Sequence, residues 1–72
     1  MKLYAFQPGG HGEASFFTIA ENENEARECV DKYVQENYVN NGELTYMARG
    51  WGTDYYIMTV IEQGQVIEND ND

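Results

Sequence analysis

Apolar and polar positions alternate along most of this chain, and in one stretch the alternation gives way to a helical period. Lys2 to Gln7 is rich in β-formers, with Tyr4 and Phe6 on one face and Leu3 and Ala5 on the other. Pro8-Gly9-Gly10-His11-Gly12 breaks the run, because proline lacks a backbone donor and glycine admits positive φ. Ala14 to Ala20 resumes it, with Ser15, Phe17 and Ile19 opposing Ala14, Phe16 and Thr18. Two such runs around a short glycine-rich break predict a β-hairpin.

The period then changes. Ala26, Cys29, Val30, Tyr33 and Val34 fall at the spacing of a single apolar helical stripe. Asn22 followed by Glu25 forms a capping box, and Glu23 and Glu25 sit where the helix dipole favours negative charge. Glu28–Lys32, Arg27–Asp31 and Lys32–Glu36 are i,i+4 pairs. Asn40-Asn41-Gly42 offers the left-handed residues that end helices, so the pattern predicts a helix from Glu23 to Tyr38. Beyond it, Glu43 to Arg49 alternates again and Gly50-Trp51-Gly52-Thr53-Asp54 reads as a turn. Tyr55 to Ile61 is dense in aromatic and β-branched residues. Gln63-Gly64 is read as a reversal into a short strand, Gln65–Glu68, before a frayed acidic tail over residues 69–72.

The expected fold is therefore α+β: one domain over residues 1–68, an antiparallel sheet of four or five strands, order ββαββ(β), with one helix packed on one face. That arrangement leaves a mismatch. One helix shields one sheet face, and a sheet with a wet face should alternate cleanly between apolar and polar positions. Phe16-Phe17 and Tyr55-Tyr56-Ile57-Met58 are apolar or aromatic on both sides. A second apolar surface, rich in aromatic side chains, is expected to lie open to a partner or to a second copy. The competing reading is that twist and tail hide it.

Charge narrows the functional classes. The 72 residues carry four basic and thirteen acidic side chains, a formal charge of −9, with 42% hydrophobic and 14% aromatic residues. So acidic a chain is poorly suited to gripping phosphates directly or to resting on anionic lipid. Its apolar content is too high for charge-driven disorder. No apolar run has the length of a membrane span, and Met1-Lys2-Leu3-Tyr4 lacks the core of a secretion signal, so the expected location is cytoplasmic. The single cysteine, Cys29, excludes an internal disulfide.

Candidate chemistry is sparse. His11 near Glu13 sketches a general base, but no third group is evident and a histidine in a hairpin tip is ordinarily a turn residue. The same two side chains fall short of a metal coordination shell. Pro8-Gly9-Gly10-His11-Gly12 leads into a strand and carries no lysine, unlike a phosphate-binding loop. Cys29 lies in the helical stripe and is expected to be a buried structural thiol. No enzymatic activity and no cofactor is expected. Trp51, between two glycines, is either folded back as a lid on the core or held out as an anchor. Arg49 and Asp54 would rim it in the second case.

The acidic distribution carries the functional reading. Glu21, Glu25 and Glu28 advance along the outer side of the helix, and Asp31 and Glu36 continue the charge round it. The steps are near the spacing of phosphates along a nucleic-acid strand, although Arg27 and Lys32 interrupt the face. The ordinary alternative is a solvated helix whose charge keeps the chain soluble. Small size, strong negative charge, aromatic strands and a lone helix opened by Asn22-Glu23-Asn24-Glu25-Ala26 together resemble the small acidic inhibitor proteins of phages and mobile elements, the anti-CRISPR and DNA-mimic class. The resemblance implies a non-enzymatic inhibitor, in the host cytoplasm if phage-encoded, that occupies the basic nucleic-acid channel of a host nuclease or defence complex. On this reading Glu21, Glu25, Glu28, Asp31 and Glu36 steer, while Trp51, Tyr55 and Tyr56 anchor. The alternative is a homodimeric accessory module that uses the uncovered sheet face.

Overall fold

The structure, a computed structural model, describes residues 1–68, so the expected acidic tail at 69–72 lies outside the described residues. It is α+β. Strand β1 (Lys2–Pro8) is central, flanked by β2 (Phe16–Ala20) and β5 (Tyr56–Ile61) in an antiparallel sheet of order β2-β1-β5. Helix α1 (Glu23–Asn37) follows β2, and a separate two-stranded ribbon joins β3 (Val39–Asn40) to β4 (Glu43–Leu44).

The helix begins as its capping residues dictate. The Asn22 side chain accepts the Glu25 backbone N–H at 2.8 Å, and the Glu25 carboxylate accepts the Glu21 N–H at 2.8 Å. Ala26, Val30 and Val34 are its buried stripe. Its end departs from expectation. Tyr38 closes the helix through a backbone N–H to the Val34 carbonyl, and Asn41-Gly42 turns a hairpin rather than capping a helix. Both residues have positive φ, 55° and 83°, as the two-residue hairpin loop requires.

The expected four-stranded sheet has three strands, because Glu43–Arg49 does not continue as a strand. Beyond β4 the chain enters a 3₁₀ turn, Tyr46–Ala48. A run of i→i+3 bonds then occupies the backbone donors: Ala48 to Thr45, Arg49 to Tyr46, Trp51 to Ala48 and Thr53 to Gly50. Gly50 makes this path possible: its φ is +93°, and a Cβ there would sit 2.6 Å from the Tyr55 ring. This coiled segment lies over the sheet and buries Ala48 completely. Gln65–Glu68, expected as a strand, pairs with nothing described, and Val66 is 92% exposed.

Register sorts the strands into two faces. Phe6 stands opposite Phe16 and Met58, Tyr4 opposite Thr18 and Val60, and Pro8 opposite Tyr56. These side chains face α1 and the Tyr46–Tyr55 segment, and Phe6 with Val34 is fully buried among them. On the reverse face Leu3 stands between Ile19 and Ile61, Ala5 between Phe17 and Thr59, and Gln7 beside Ile57.

Candidate functional site

The residues nominated by the sequence divide into those held by the fold and those left free. Tyr56, expected as a surface anchor, is buried. Its ring stacks on Phe16 with centroids 5.8 Å apart, and its hydroxyl donates to the Ala14 carbonyl at 2.7 Å. Burial first, and then the nearby Glu13 charge, push its pKa up to about 12. As the inward residue of β5 it belongs to the core, not to an interface.

Trp51 takes the lid position of the two considered. Its ring meets Phe6, Phe16 and Tyr56 edge-on at 5.2, 5.8 and 5.4 Å. The indole N–H donates to Asp31 Oδ1 at 2.6 Å, so Asp31 pins the lid to the helix. Arg27 does not pair with Asp31 but turns back to Glu23 at 2.7 Å, with its guanidinium 5.2 Å from the Phe6 ring centre. Glu25 is likewise committed, as the reciprocal member of the capping box. Glu21, Glu28 and Glu36 are exposed, and their carboxylates have no hydrogen-bond or ion-pair partner among the described residues.

Glu13, which the sequence offered only as a neighbour of His11, takes a part in the fold that the sequence reading did not find. It is the buried charged residue among those described, satisfied by the Tyr55 hydroxyl at 3.0 Å and by Arg49 at 3.3 Å. That bond, followed by partial burial and the carboxylate's charge, raises the Tyr55 pKa. Glu13 therefore turns inward to tie the glycine-rich turn to the segment before β5, and leaves His11 exposed without a carboxylate to orient it. Gly9 and Gly10 allow this closeness, since a Cβ on Gly10 would meet the Tyr55 hydroxyl at 2.6 Å. Among the described residues no three His, Cys, Asp or Glu side chains gather as a metal centre.

Two surfaces remain that nothing among the described residues covers. The first is the reverse sheet face. Phe17 is 53% exposed, Ile19 63% and Ile57 61%, and Leu3 and Ile61 are half-buried beside them. None of the side chains on that face is charged. The expected open surface therefore exists, but it is aliphatic with one phenylalanine; Trp51 and Tyr56 lie under the cover instead, and Tyr55, 36% exposed, is bonded to Glu13. The second surface is a groove of about 340 Å³ between β2 and α1, lined by Ala14 to Thr18, Cys29, Val30, Tyr33 and Tyr38. Cys29, expected to be buried, is exposed in its wall. The buried helical stripe runs through Ala26, Val30 and Val34, which puts Cys29 and Tyr33 on the flank facing the sheet edge.

No helix among the described residues is long and apolar enough to cross a membrane. No family model, curated protein or solved structure matches the chain.

Proposed function

We propose that this chain is a non-enzymatic interaction module that pairs with a second copy of itself through the bare face of its sheet. The observation that supports it is the outward row of Leu3, Phe17, Ile19, Ile57 and Ile61, apolar and uncharged, with Phe17, Ile19 and Ile57 exposed, on a chain of net charge −9. A surface without charges selects a partner without charges, and a second copy presents the same surface about a two-fold axis. The charge does not oppose this. Stacked sheets lie about 10 Å apart and each helix sits outside its own sheet, so the two acidic helices end up roughly 30 Å apart, several Debye lengths at physiological salt. Five large apolar side chains make up the face, far fewer than the roughly 20–30 residues a side of a standard-size interface, so the contact is a small one. The expected dimer is correspondingly of micromolar strength.

Sedimentation velocity across a concentration series tests it. A reversible dimer is expected, tightened by salt because screening removes residual repulsion while apolar burial persists. Ile57→Lys and Phe17→Lys should each leave a folded monomer. A wild-type chain still monomeric at about 1 mM, a concentration worth only about 4 kcal/mol of binding, would discard the reading.

A second reading is favoured by the uncommitted carboxylates of Glu21, Glu28 and Glu36. In it the acidic helix side steers the module onto a basic nucleic-acid-binding site of a host nuclease or defence complex, as an inhibitor. Its salt dependence has the opposite sign, since association with a cationic target slows as salt rises. Glu28→Lys combined with Glu36→Lys should slow association with such a target several-fold, and an unchanged rate would set the reading aside.

A further inference from the structure

We infer that the groove between β2 and α1 is a docking site for an extended, cationic peptide segment of a partner protein, which adds a strand to the free edge of β2 and seats one apolar side chain between Phe16, Tyr33 and Tyr38. This goes beyond the pairing of two sheet faces, uses a different surface and does not depend on it.

Four features of the molecule converge on this edge. Strand β2 is the outermost strand of its sheet, so one row of its backbone donors and acceptors has no partner strand among the described residues. Edges of this kind are normally blunted by lysine, proline or a bulge, because an open edge is a template for another chain. Phe16-Phe17-Thr18-Ile19-Ala20 contains no proline or charged residue and pairs with β1 in continuous register. The groove opens beside this edge, where a side chain of an added strand would point inward, as in recognition by strand addition.

The groove's shape names the anchor. Phe16 forms its floor, with the Tyr33 ring 6.2 Å and the Tyr38 ring 5.8 Å away, both tilted edge-on. None of the residues lining it is charged. Its volume of about 340 Å³ is at the small end of ligand sites and takes a single aromatic or branched side chain rather than a folded domain.

Charge names the flanks. By helical spacing Glu36 lies one turn after Tyr33, on the flank of α1 that walls the groove, and Glu25, whose carboxylate already accepts the Glu21 N–H, lies one turn before Cys29. Lys32 is the one basic residue nearby on the helix, and Glu21 adds a carboxylate where β2 ends. Lysine or arginine on either side of the anchor therefore meets carboxylates. The chain's own exposed segment, Gln65-Val66-Ile67-Glu68, carries two apolar side chains, as a strand donor would. Its acidic character, shared with Glu62 and the residues after it, sets it against the same helix, which disfavours the tail of a second copy as occupant.

The test uses a fluorescein-labelled octapeptide of valine and threonine around a central phenylalanine, with two lysines at each end, and a twin with glutamates in place of the lysines. Fluorescence polarisation should give micromolar binding for the lysine peptide and binding at least about tenfold weaker for the glutamate twin, a difference of about 1.4 kcal/mol. Cys29→Trp, which fills the groove from an exposed position, should weaken the lysine peptide by about tenfold or more. Alkylation of Cys29 in the wild-type chain should slow when the peptide is bound. Amide exchange should slow at alternate residues of β2 alone, because only every second N–H points outward. Ile57→Lys should leave all of this unchanged, so failure of the sheet-face dimer and failure of the groove are read separately. Equal binding of the two peptides, or binding indifferent to Cys29→Trp, would overturn the proposal. So would tighter binding of a peptide copying Gln65–Glu68, which would make the site a contact between copies.

Discussion

Tyr4, Phe6, Phe16 and Tyr56 alternate along the same sheet with Phe17, Ile19 and Ile57, yet the first set is sealed and the second lies open. The two faces do not differ in apolarity. They differ in what their side chains require. Tyr56 has a hydroxyl and Trp51 an indole N–H that must be satisfied once desolvated, and the cover supplies the acceptors: the Ala14 carbonyl for one and Asp31 for the other. The open face holds side chains with no polar tip, apart from Gln7 and Thr59. A helix of 15 residues, about 22 Å long, and one coiled segment suffice for a single face. What is left over is the half of the sheet that any apolar surface of matching shape can complete.

If burial separates the faces, truncation should separate them in energy. Phe6→Ala removes a ring with no exposed surface and should cost about 3–5 kcal/mol. A domain of this size has roughly 4–10 kcal/mol in all, so the variant should lose a large share of its stability. Phe17→Ala, opposite Ala5 on the other face, should cost under about 1 kcal/mol in dilute solution. Urea unfolding followed by tryptophan fluorescence measures both. Equal losses would mean that Phe17 is shielded in the monomer and that the contrast between faces is false.

Alkali sharpens the comparison from the covered side. The fold keeps Tyr56 neutral, with a pKa raised to about 12 against an ordinary value of 10.0. Its contribution is therefore complete below pH 10.0 and is lost as pH rises from there toward 12. The expected loss is about 2–3 kcal/mol at the alkaline end, since each pKa unit corresponds to about 1.4 kcal/mol. Tyr55, partly exposed and bonded to Glu13, shifts in the same direction. Tyr56→Phe should be less stable than wild type at neutral pH, by about 1 kcal/mol, because it orphans the Ala14 carbonyl. Above pH 10.0 that gap should narrow, as measured by chemical unfolding at several pH values; a gap that widens would contradict burial as the cause.

How much of this was legible in the sequence follows the range of the interactions involved. The helix was readable to within one residue because its signals, Asn22 with Glu25 and the Ala26–Val30–Val34 stripe, are local. The hairpin of β1 and β2 and the surplus of apolar strand positions were readable for the same reason. The sheet was overcounted because Leu44, Tyr46 and Ala48 alternate like a strand, whereas Gly50 at positive φ and the packing of Ala48 under the lid decide their shape. Which tyrosine of Tyr55-Tyr56 faces inward depends on pairing with Pro8, a contact distant in sequence. The inward place of Glu13 was not legible for a like reason: its partners, Tyr55 and Arg49, lie 42 and 36 residues away.

Weakening the cover itself gives a smaller effect than emptying the core beneath it. Asn22→Ala should cost about 1 kcal/mol, the usual worth of a satisfied N-cap, and should fray the first turn of α1. Since Arg27 and Asp31 follow within that helix, the loss should also loosen the Trp51 lid, visible as a red-shifted tryptophan emission. A change in stability with no change in emission would separate the lid from the helix.

The smallest effect is the one that decides what the bare face is for. Ile57 is 61% exposed, and threonine keeps its branched β-carbon, so Ile57→Thr should alter the stability of the monomer by less than about 0.5 kcal/mol. Its consequence should appear instead as a lost dependence on concentration. A dimer formed only by folded copies adds about RT ln 2, or ~0.4 kcal/mol, when free protein equals the dissociation constant, and more above it. The wild-type midpoint of thermal unfolding should therefore climb with protein concentration while that of Ile57→Thr stays nearly level. Scanning calorimetry over a hundredfold concentration range resolves the two slopes. If both are flat, the reverse face of the sheet is merely tolerated by water, and the difference between the two faces is one of packing alone. If only the wild type climbs, the missing cover is a second molecule.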